Sequence, residues 1–217
     1  MPISPEEKIS IENERASDVT LVTARESDIE RLVHWDEQAA NASTESGFSD
    51  EERKARTKYY EKALQNPDFA ILLVQLSKEG NASGSAVLDY HHKPADVSTV
   101  VGEPFIEEGG GPHVQPMTKE EILAYVQNHD PNMRRAHIVS IALDAHVRGK
   151  GVGKKAIEEI LKHMIEKRTD VLTFSTGTKN VAMRRLIKGA TLLEVRSVHS
   201  GYQNTNLIGA LKLSATI

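Results

Sequence analysis

The hydrophobic pattern of the chain changes its period near residue 150. Residues 138–143 form a nearly continuous apolar run, of a length typical of a buried strand. After this run, apolar residues recur at steps of one, three and four, which places them on one face of a helix. These residues are Val152, Ala156, Ile157, Ile160, Leu161, Met164 and Ile165. The pattern therefore predicts a strand, a turn over residues 144–151 and an amphipathic helix.

Similar patterns predict further elements on both sides of this junction. Ser27 or Asp28 is the expected cap of a first helix, and Ser49 or Asp50 that of a second. The predicted elements are a strand over 19–24, helices over about 28–40 and 50–64, a hairpin of Phe69–Leu76 and Ser83–Asp89, a strand over Val171–Ser175 and a final strand over about Leu207–Ser214. Residues 1–17 are expected to be a flexible polar lead, and 18–217 a single domain.

The composition fits one globular domain without covalent cross-links. A chain of 217 residues can bury a full core. It contains no cysteine, which excludes disulfides, thiol catalysis and thiolate metal ligands. The nine histidines show no ligand spacing, so no metal is expected. There is no run of eighteen apolar residues and no signal-peptide pattern at the N-terminus, so we expect a cytoplasmic protein without a membrane partner.

The formal net charge of −4 conceals two halves of opposite sign. Residues 1–145 contain 14 Lys and Arg against 26 Asp and Glu, whereas residues 146–217 contain 13 against 5. The basic half is suited to a phosphorylated ligand, and the acidic half to a cationic one, unless the two signs are accidental properties of solvated surfaces. The basic residues are not interleaved with aromatic ones, so no nucleic-acid partner is expected.

The turn between the strand and the helix has the chemistry of an anion site. Three glycines alternate with other residues, and four cations surround them: Arg148, Lys150, Lys154 and Lys155. The first N–H groups of a helix have no partner within the helix and carry the positive end of its dipole. Because glycine has no Cβ, a phosphate can approach these N–H groups closely. We refer to residues Arg148–Lys154 as the glycine loop.

Two nucleotide-binding motifs match this loop poorly. A Walker A motif needs two glycines five residues apart followed by Lys and a hydroxyl, but Gly149 and Gly153 are four apart and Lys155 replaces the hydroxyl. A dinucleotide fingerprint could be drawn from Gly151 and Gly153, but too few residues follow for further βα units. A dinucleotide-binding enzyme remains the weaker alternative.

A third pattern, (Gln/Arg)-x-x-Gly-x-(Gly/Ala), is met without adjustment by residues 148–153. With its strand and helix, the segment resembles the coenzyme A pyrophosphate loop of the GNAT superfamily, the acetyl-CoA-dependent N-acetyltransferases. The resemblance covers 137–190 well, and 19–30 and 68–90 weakly. It implies an α/β fold with a mixed, mostly antiparallel sheet, splayed between its fourth and fifth strands, and helices on both faces. It also implies acetyl transfer from acetyl-CoA to a primary amine, by direct attack on the thioester in a ternary complex.

The resemblance further implies which residues contact the coenzyme. Leu143, or its neighbour, would polarise the thioester carbonyl through a backbone N–H. Asn180 has two interpretations, a bond to the coenzyme or a cap on its own helix. The implied coenzyme contacts are Ile141, Leu143, Arg148, Gly149, Lys150, Gly151, Val152, Gly153, Lys154, Ser175, Asn180 and Arg184.

Candidates for acid–base catalysis follow from the same resemblance. His137 lies eleven residues before Arg148, where the histone-acetylating branch carries a carboxylate base. An imidazole of ordinary pKa, about 6.5, accepts a proton at neutral pH. The alternative is a half-exposed histidine at the start of a strand, with no catalytic role. Asp89, at the end of the third strand, is the second candidate base, or else a plain surface carboxylate.

The sequence departs from the family at the residue that donates a proton. Ile187 stands where many members carry a tyrosine, and Ala190 where a phenylalanine is usual. Tyr202, expected in the loop before the final strand, is a candidate donor, although tyrosines there usually pack. Because Ile187 cannot donate, a non-catalytic acetyl-CoA-binding sensor remains an alternative from another class.

Residues 91–135 form an insertion relative to the compact family pattern. Gly109–Pro112 must be a loop, and Thr118 with Glu121 forms a capping box for a helix that ends near Gln127. We expect the insertion to be a lid or a wall of the acceptor site. Inert decoration or an oligomer contact is the alternative, so a homodimer stays open. The acceptor, a small-molecule amine or a protein lysine, is not identified by the sequence.

Overall fold

The computed structural model describes residues 19–41, 48–76, 80–91, 99–100, 105–106, 114–118, 120–122, 124, 133–177, 180, 183, 191–199 and 202–213. The predicted flexible lead, residues 1–17, lies outside these residues. The chain divides into two compact units. The first comprises Met1–Leu88 and Ser140–Ile160, and the second Asp89–Val139 and Leu161–Ile217. The division falls within two strands and one helix, because residues 88 and 89, 139 and 140, and 160 and 161 are neighbours within single elements.

The first unit contains helices on both sides of a small sheet. Its strands are β1 (Thr20–Thr23), β2 (Phe69–Gln75), β3 (Ala82–Asp89, of which Asp89 falls in the second unit) and the last four residues of β7 (Arg135–Leu143), in the order β1-β2-β3-β7. Its helices are α1 (Ile29–Asn41), α2 (Asp50–Gln65) and the start of α3 (Val152–Glu166). The strands β1 and β2 are antiparallel, with Thr20 opposite Gln75 and Thr23 opposite Leu72.

The ends of the first two helices follow from local sequence. Ser49 caps α2 by accepting the Glu52 N–H at 3.3 Å, while the Glu52 carboxylate accepts the Ser49 N–H at 2.7 Å. This reciprocal pair is a capping box, and Ser49 is one of the two residues predicted as the cap. Before α1, a short 3-10 helix spans Glu26–Asp28, and the Asp28 carboxylate accepts the Arg25 N–H at 2.9 Å. The predicted helices are therefore confirmed to within a residue or two of their expected ends.

Two hydrophobic cores occupy opposite faces of this sheet. On one face α1 and α2 contribute Trp35, Leu32 and Tyr60, which pack against Ile71, Leu73, Val87 and Ala142. On the other face Val152 and Ala156 of α3 pack with Val147, Val74 and Val19. Because both faces are covered, β2 has a continuous apolar run in its buried centre rather than an alternating one, and the buried centre of β3 consists of small and apolar residues, from Ser83 to Leu88.

A polar pair joins α1 to α2 at the border of the first core. The Tyr60 hydroxyl donates to the Asp36 carboxylate at 2.8 Å, and the Tyr60 side chain is fully buried. Burial raises the pKa of Asp36, while the Tyr60 hydrogen bond and the charge of Arg56 act in the opposite direction. Burial likewise raises the pKa of Tyr60. A buried carboxylate is tolerated here because it has a hydrogen-bond donor and a cation beside it.

The second unit is built on long antiparallel strands. It contains the first five residues of β7, then β8 (Val171–Gly177), β9 (Thr191–His199) and β10 (Tyr202–Leu213). The strand order is β7-β8-β10-β9. β10 pairs antiparallel with β8 on one side and β9 on the other. The described core residues include Ile138, Leu172, Phe174 and Leu211, each 2% exposed or less.

The insertion contributes short strands to this second sheet. β4 (Thr99–Val100) and β5 (Phe105–Ile106) pair with β9, and β6 (Val114–Pro116) pairs with the end of β10. The predicted capping box is confirmed, because the Thr118 hydroxyl accepts the Glu121 N–H at 3.2 Å and Glu121 accepts the Thr118 N–H at 2.9 Å. Glu121 also forms an ion pair with Lys212 of β10. The described part of the insertion thus protects the edge of β9 and extends the sheet.

The parallel pair β7 and β8 gives the sheet its mixed character. Arg135 to Ile138 pair in parallel with Val171 to Phe174, and the ladder ends there although both strands continue. The strands are therefore splayed beyond Ile138 and Phe174. The expected fold class, a mixed and mostly antiparallel sheet with one splayed parallel pair and flanking helices, is confirmed.

Several sequence predictions need correction. Tyr202 was expected in a loop but is the first residue of β10, which begins five residues earlier than predicted. β9 and the three short strands of the insertion were not predicted. Their hydrophobic patterns are short or irregular, and they are strands because neighbouring strands supply partners.

Close approach of β3 and β7 depends on Gly84. A Cβ on Gly84 would lie 2.5 Å from the Ala142 carbonyl oxygen and 2.6 Å from Leu143 Cδ2. One residue further, the Asp144 N–H donates to the Ser83 carbonyl at 2.9 Å. Only a residue without a side chain lets the end of β7 lie this close to β3.

We expect Gly84→Ala to lower the free energy of unfolding by about 1–3 kcal/mol, because the added methyl group overlaps backbone atoms of β7. The matched control is Ser85→Ala on the same strand. Ser85 is fully buried, and its hydroxyl has no hydrogen-bond partner among the described residues. Its removal should leave stability unchanged or raise it. Urea unfolding measures both changes, and a Gly84→Ala protein as stable as the parent would contradict the close approach.

Candidate functional site

The glycine loop follows β7 through a series of tight turns. A 3-10 helix, Ala145–Val147, continues directly from Asp144. The Val147 N–H donates to the Asp144 carbonyl at 3.1 Å, and the Lys150 N–H donates to the Val147 carbonyl at 3.4 Å. The Val147 side chain is buried against Val152 and Ala156. The loop is therefore anchored to the core immediately before its glycines.

The first two glycines adopt a conformation that other residues avoid. Gly149 has φ 72° and Gly151 has φ 81°, both in the left-handed region. A Cβ on Gly149 would meet no atom within 4 Å, so the backbone angle and not crowding requires glycine there. The space beside Gly149 is open, which suits the approach of a ligand to the backbone.

The first backbone N–H groups of α3 make no hydrogen bond within the helix. Its first bond runs from the Lys155 N–H to the Gly151 carbonyl at 3.2 Å. The N–H groups of Val152, Gly153 and Lys154 precede this bond and have no acceptor within the helix. With the helix dipole, they form an anion site at the end of the loop.

The cations of the loop have unequal roles. The Arg148 Nε donates to the Leu143 carbonyl at 2.9 Å, so this side chain ties the loop to the end of β7. Lys154 and Lys155 lie 4.0 and 3.2 Å from Glu158 carboxylate oxygens. The Lys154 side chain is largely solvent-exposed and that of Lys155 is partly exposed, so these ion pairs are weak and can be exchanged for a ligand phosphate. The Lys150 side chain is exposed as well.

Asp144 and its neighbours hold the entrance to the loop. The Asp144 carboxylate contacts His146 Nδ1 at 2.9 Å, and the pKa of Asp144 is lowered mainly by this hydrogen bond, with a smaller contribution from the Trp35 side chain. The Gln38 Oε1 accepts the Ala145 N–H at 3.2 Å. Helix α1 therefore contacts the segment just before the glycine loop. No pattern in the sequence pointed to Gln38 or Trp35, because Gln38 and Ala145 are 107 positions apart in the sequence.

The remaining coenzyme candidates are distributed over both units. Leu143 packs in the second hydrophobic core of the first unit, and Val152 is buried there. Ile141 is partly exposed on β7, and Ser175 is exposed on β8 in the second unit. Asn180 Oδ1 accepts the Met183 N–H at 3.0 Å, which is a capping contact, and its bond to the coenzyme stays a prediction. Arg184 and Ile187 lie outside the described residues.

The candidate bases lie in the second unit. His137 is buried, with 7% exposure, and is not the half-exposed strand residue of the alternative interpretation. Its Nδ1 lies 2.9 Å from the Thr173 hydroxyl, which itself donates to the Ala136 carbonyl at 3.4 Å. Asp89 accepts the His91 N–H at 2.8 Å as the last residue of β3. Of Tyr202 the structure gives the backbone, as the start of β10.

A second polar pair in this unit was not predicted. The Tyr90 hydroxyl and His163 Nε2 are 3.3 Å apart. Burial raises the pKa of Tyr90. Burial also lowers the pKa of His163, with Lys167 adding to the decrease and Glu166 opposing it. Within the part of the chain that the structure describes, no three His, Asp or Glu side chains are grouped to hold a metal ion, and no helix could cross a membrane.

The sequence model of the Acetyltransferase (GNAT) family matches residues 29–190. This range includes α1, α2, the strands β2 and β3, the strand β7, the glycine loop and α3. The chain belongs to the GNAT acetyltransferase family. A comparison with curated proteins finds no match.

Solved structures support the same fold. The protein yncA from Salmonella typhimurium, with its cofactor acetyl-CoA, has a TM-score of 0.55 and 14% identity, and covers 91% of this chain and 95% of its own. Aminoglycoside acetyltransferase AAC(6')-Ib with coenzyme A also has a TM-score of 0.55 and 14% identity, over 88% and 94%. The ribosomal-protein-S18-alanine N-acetyltransferase from Escherichia coli has a TM-score of 0.53 and 14% identity, and the match covers 91% of this chain and 95% of that protein. At such identities the likeness shows the fold.

Proposed function

We propose that this protein transfers an acetyl group from acetyl-CoA to a primary amine. The observation that carries the proposal is the glycine loop. Three N–H groups at the start of α3 have no acceptor within the helix, two preceding glycines have positive φ, and exposed cations surround them. This arrangement suits a pyrophosphate, the doubly charged group of coenzyme A. The family membership supports acetyl transfer over another use of such a ligand.

Acetyl-CoA supplies the reactive thioester, and the chain's own residues bind and orient it. In the proposed complex, Gly149 and residues 151–154 donate backbone N–H bonds to the pyrophosphate, and the side chains of Lys150 and Lys154 compensate its charge. A backbone N–H at or next to Leu143 polarises the thioester carbonyl. The amine attacks this carbonyl directly, so that the C–N bond forms as the C–S bond breaks and coenzyme A leaves as thiolate.

We propose His137 as the group that takes the proton from the amine. The Thr173 hydroxyl donates to the Ala136 carbonyl, so its oxygen is placed to accept a hydrogen bond from His137 Nδ1. A proton on Nδ1 leaves the lone pair of the neutral ring on Nε2, from which an imidazole acts as a base. Asp89 is the second candidate base, and Tyr202 the candidate donor to the thiolate.

The acceptor class follows from charge and is part of the proposal. The acidic balance of residues 1–145 favours a cationic acceptor, either a small-molecule amine or a protein lysine. The absence of cysteine suits a reducing compartment such as the cytoplasm. Two of the proteins with similar solved structures are named for different acceptor amines, one for an aminoglycoside and the other for a ribosomal-protein alanine. Acetyl-CoA turnover against a panel of amine classes, followed by thiol release, tests both the activity and the acceptor class.

We expect replacement of both Gly151 and Gly153 by valine to abolish acetyl-CoA binding. Valine disfavours the positive φ of Gly151, and its side chains would cover the N–H groups at the start of α3. Isothermal titration calorimetry measures the binding, and circular dichroism checks that the protein remains folded. Gly80→Val, between β2 and β3, is the control glycine outside the loop. If the folded double variant binds acetyl-CoA as tightly as the parent, the glycine loop does not bind the coenzyme. Tight binding by the parent without turnover of any amine would favour the sensor alternative.

We expect His137→Gln to reduce kcat by about 10²–10⁴-fold, because glutamine keeps hydrogen bonding but cannot accept a proton near neutral pH. The acid limb of the pH–rate profile should disappear, while acetyl-CoA binds as before. Thr173→Val should cause a smaller loss, since it removes the hydroxyl that fixes the ring. His91→Gln, at an exposed histidine of the same unit, is the control. A His137→Gln enzyme within about threefold of the parent, with the same pH profile, would direct the search to Asp89.

A further inference from the structure

The segment that leads into the glycine loop is held from two directions within the first unit. The strand β3 accepts the Asp144 N–H through the Ser83 carbonyl at 2.9 Å. Helix α1 supplies the second set of contacts, through the Trp35 side chain to the Asp144 carboxylate and through Gln38 Oε1 to the Ala145 N–H at 3.2 Å. The Trp35 side chain is itself fixed in the first hydrophobic core with 1% exposure. Gln38 is the less constrained of the two α1 contacts, because it lies on the partly exposed side of the helix.

The Ala145 N–H is a donor that its own helix cannot satisfy. Ala145 is the first residue of the 3-10 helix, where backbone N–H groups have no intrahelical acceptor. Asp144 stands at the cap position, but its carboxylate makes no capping hydrogen bond. It is engaged by His146 and Trp35. Gln38, which belongs to α1, therefore accepts the Ala145 N–H in the way that an N-cap side chain normally accepts an N–H of its own helix.

The orientation of the Gln38 amide is determined by its two partners. A backbone N–H can only donate, so the atom that faces Ala145 must be the amide oxygen. The amide nitrogen then faces His34 Nε2, one turn earlier on α1, at 2.8 Å. A neutral His34 that carries its proton on Nδ1 accepts this bond. Both ends of the Gln38 amide are thus in use, and the side chain links α1 to the start of the loop.

We propose that Gln38 is a positioning residue for the coenzyme pyrophosphate. Its bond to Ala145 sets the start of the 3-10 helix, and that helix places Val147 in the core and Arg148 at the first position of the glycine loop. The three N–H groups at the start of α3 receive their direction from this anchored segment. The inference rests on the proposed function, because it assumes that the loop binds a pyrophosphate. Gln38 does not touch the ligand.

The test compares Gln38→Met with Gln38→Glu. Methionine has nearly the same length and helix propensity but no oxygen to accept from Ala145. Glutamate keeps an acceptor oxygen at the same distance along the side chain. Gln65→Met, at the exposed last residue of α2, is the matched control for loss of a glutamine on a helix surface. Thermal unfolding of each full-length variant checks that the fold is intact.

The ligands separate positioning of the loop from a general structural effect. Acetyl-CoA and dephospho-coenzyme A contain the pyrophosphate, whereas S-acetylpantetheine lacks it. We expect Gln38→Met to weaken binding of the first two by about three- to tenfold, the size of one lost hydrogen bond. Turnover of S-acetylpantetheine, measured as kcat/KM with the best amine, should change less than twofold. Gln38→Glu should recover most of the lost affinity, and Gln65→Met should match the parent.

The outcomes distinguish the two proposals. Equal acetyl-CoA affinity of Gln38→Met and the parent overturns the positioning role and leaves the proposed function intact. An equal loss for acetyl-CoA and S-acetylpantetheine also overturns it, because the effect would then not pass through the pyrophosphate. Failure of Gln38→Glu to recover affinity overturns the role of the acceptor oxygen. If the parent itself binds no acetyl-CoA, the proposed function fails and this inference fails with it.

Discussion

The position of the end of β7 against β3 is the constraint on which the candidate site depends. Gly84 lets the backbone at Ala142 and Leu143 approach β3 closely, and the Asp144 N–H closes the contact on the Ser83 carbonyl. The segment from Asp144 to the first turn of α3 takes its position from this point. The 3-10 helix, the two glycines with positive φ and the first turn of α3 come in direct succession after Asp144. An error of one residue in the pairing would move the donors of the loop by more than 3 Å.

The glycine loop has a buried apolar side and an exposed charged side. On the inner side, Val147, Val152 and Ala156 pack into a core shared with β1 and β2, so the loop cannot shift without opening that core. On the outer side, the lysines are exposed and form weak pairs with Glu158, which a ligand can replace. A rigid backbone with exchangeable surface charges is what binding through N–H groups needs, because preorganised donors lose little entropy when the ligand arrives.

Local sequence was sufficient where the interactions are local. The capping boxes at Ser49 and Thr118, the helical stripe of α3 and the glycine pattern all connect residues that are at most four positions apart. Such contacts can be read from spacing. The short strands β4 to β6 and the strand β9 could not be predicted in this way. The strands β4 and β5 form because they pair with β9, and β6 and β9 form because they pair with β10. Their own sequences carry too little alternation to predict it.

The sequence by itself determined the family, the glycine loop and the order of the main elements, since each depends on a short pattern of residue types. The tertiary structure decided the contacts between distant segments. It buried His137 beside Thr173, 36 residues later, with its Nδ1 2.9 Å from the Thr173 hydroxyl. It also joined Gln38 of α1 to Ala145, and Trp35 to Asp144. Such contacts depend on how helices pack across a sheet, and this packing is a property of the whole fold that no local pattern records.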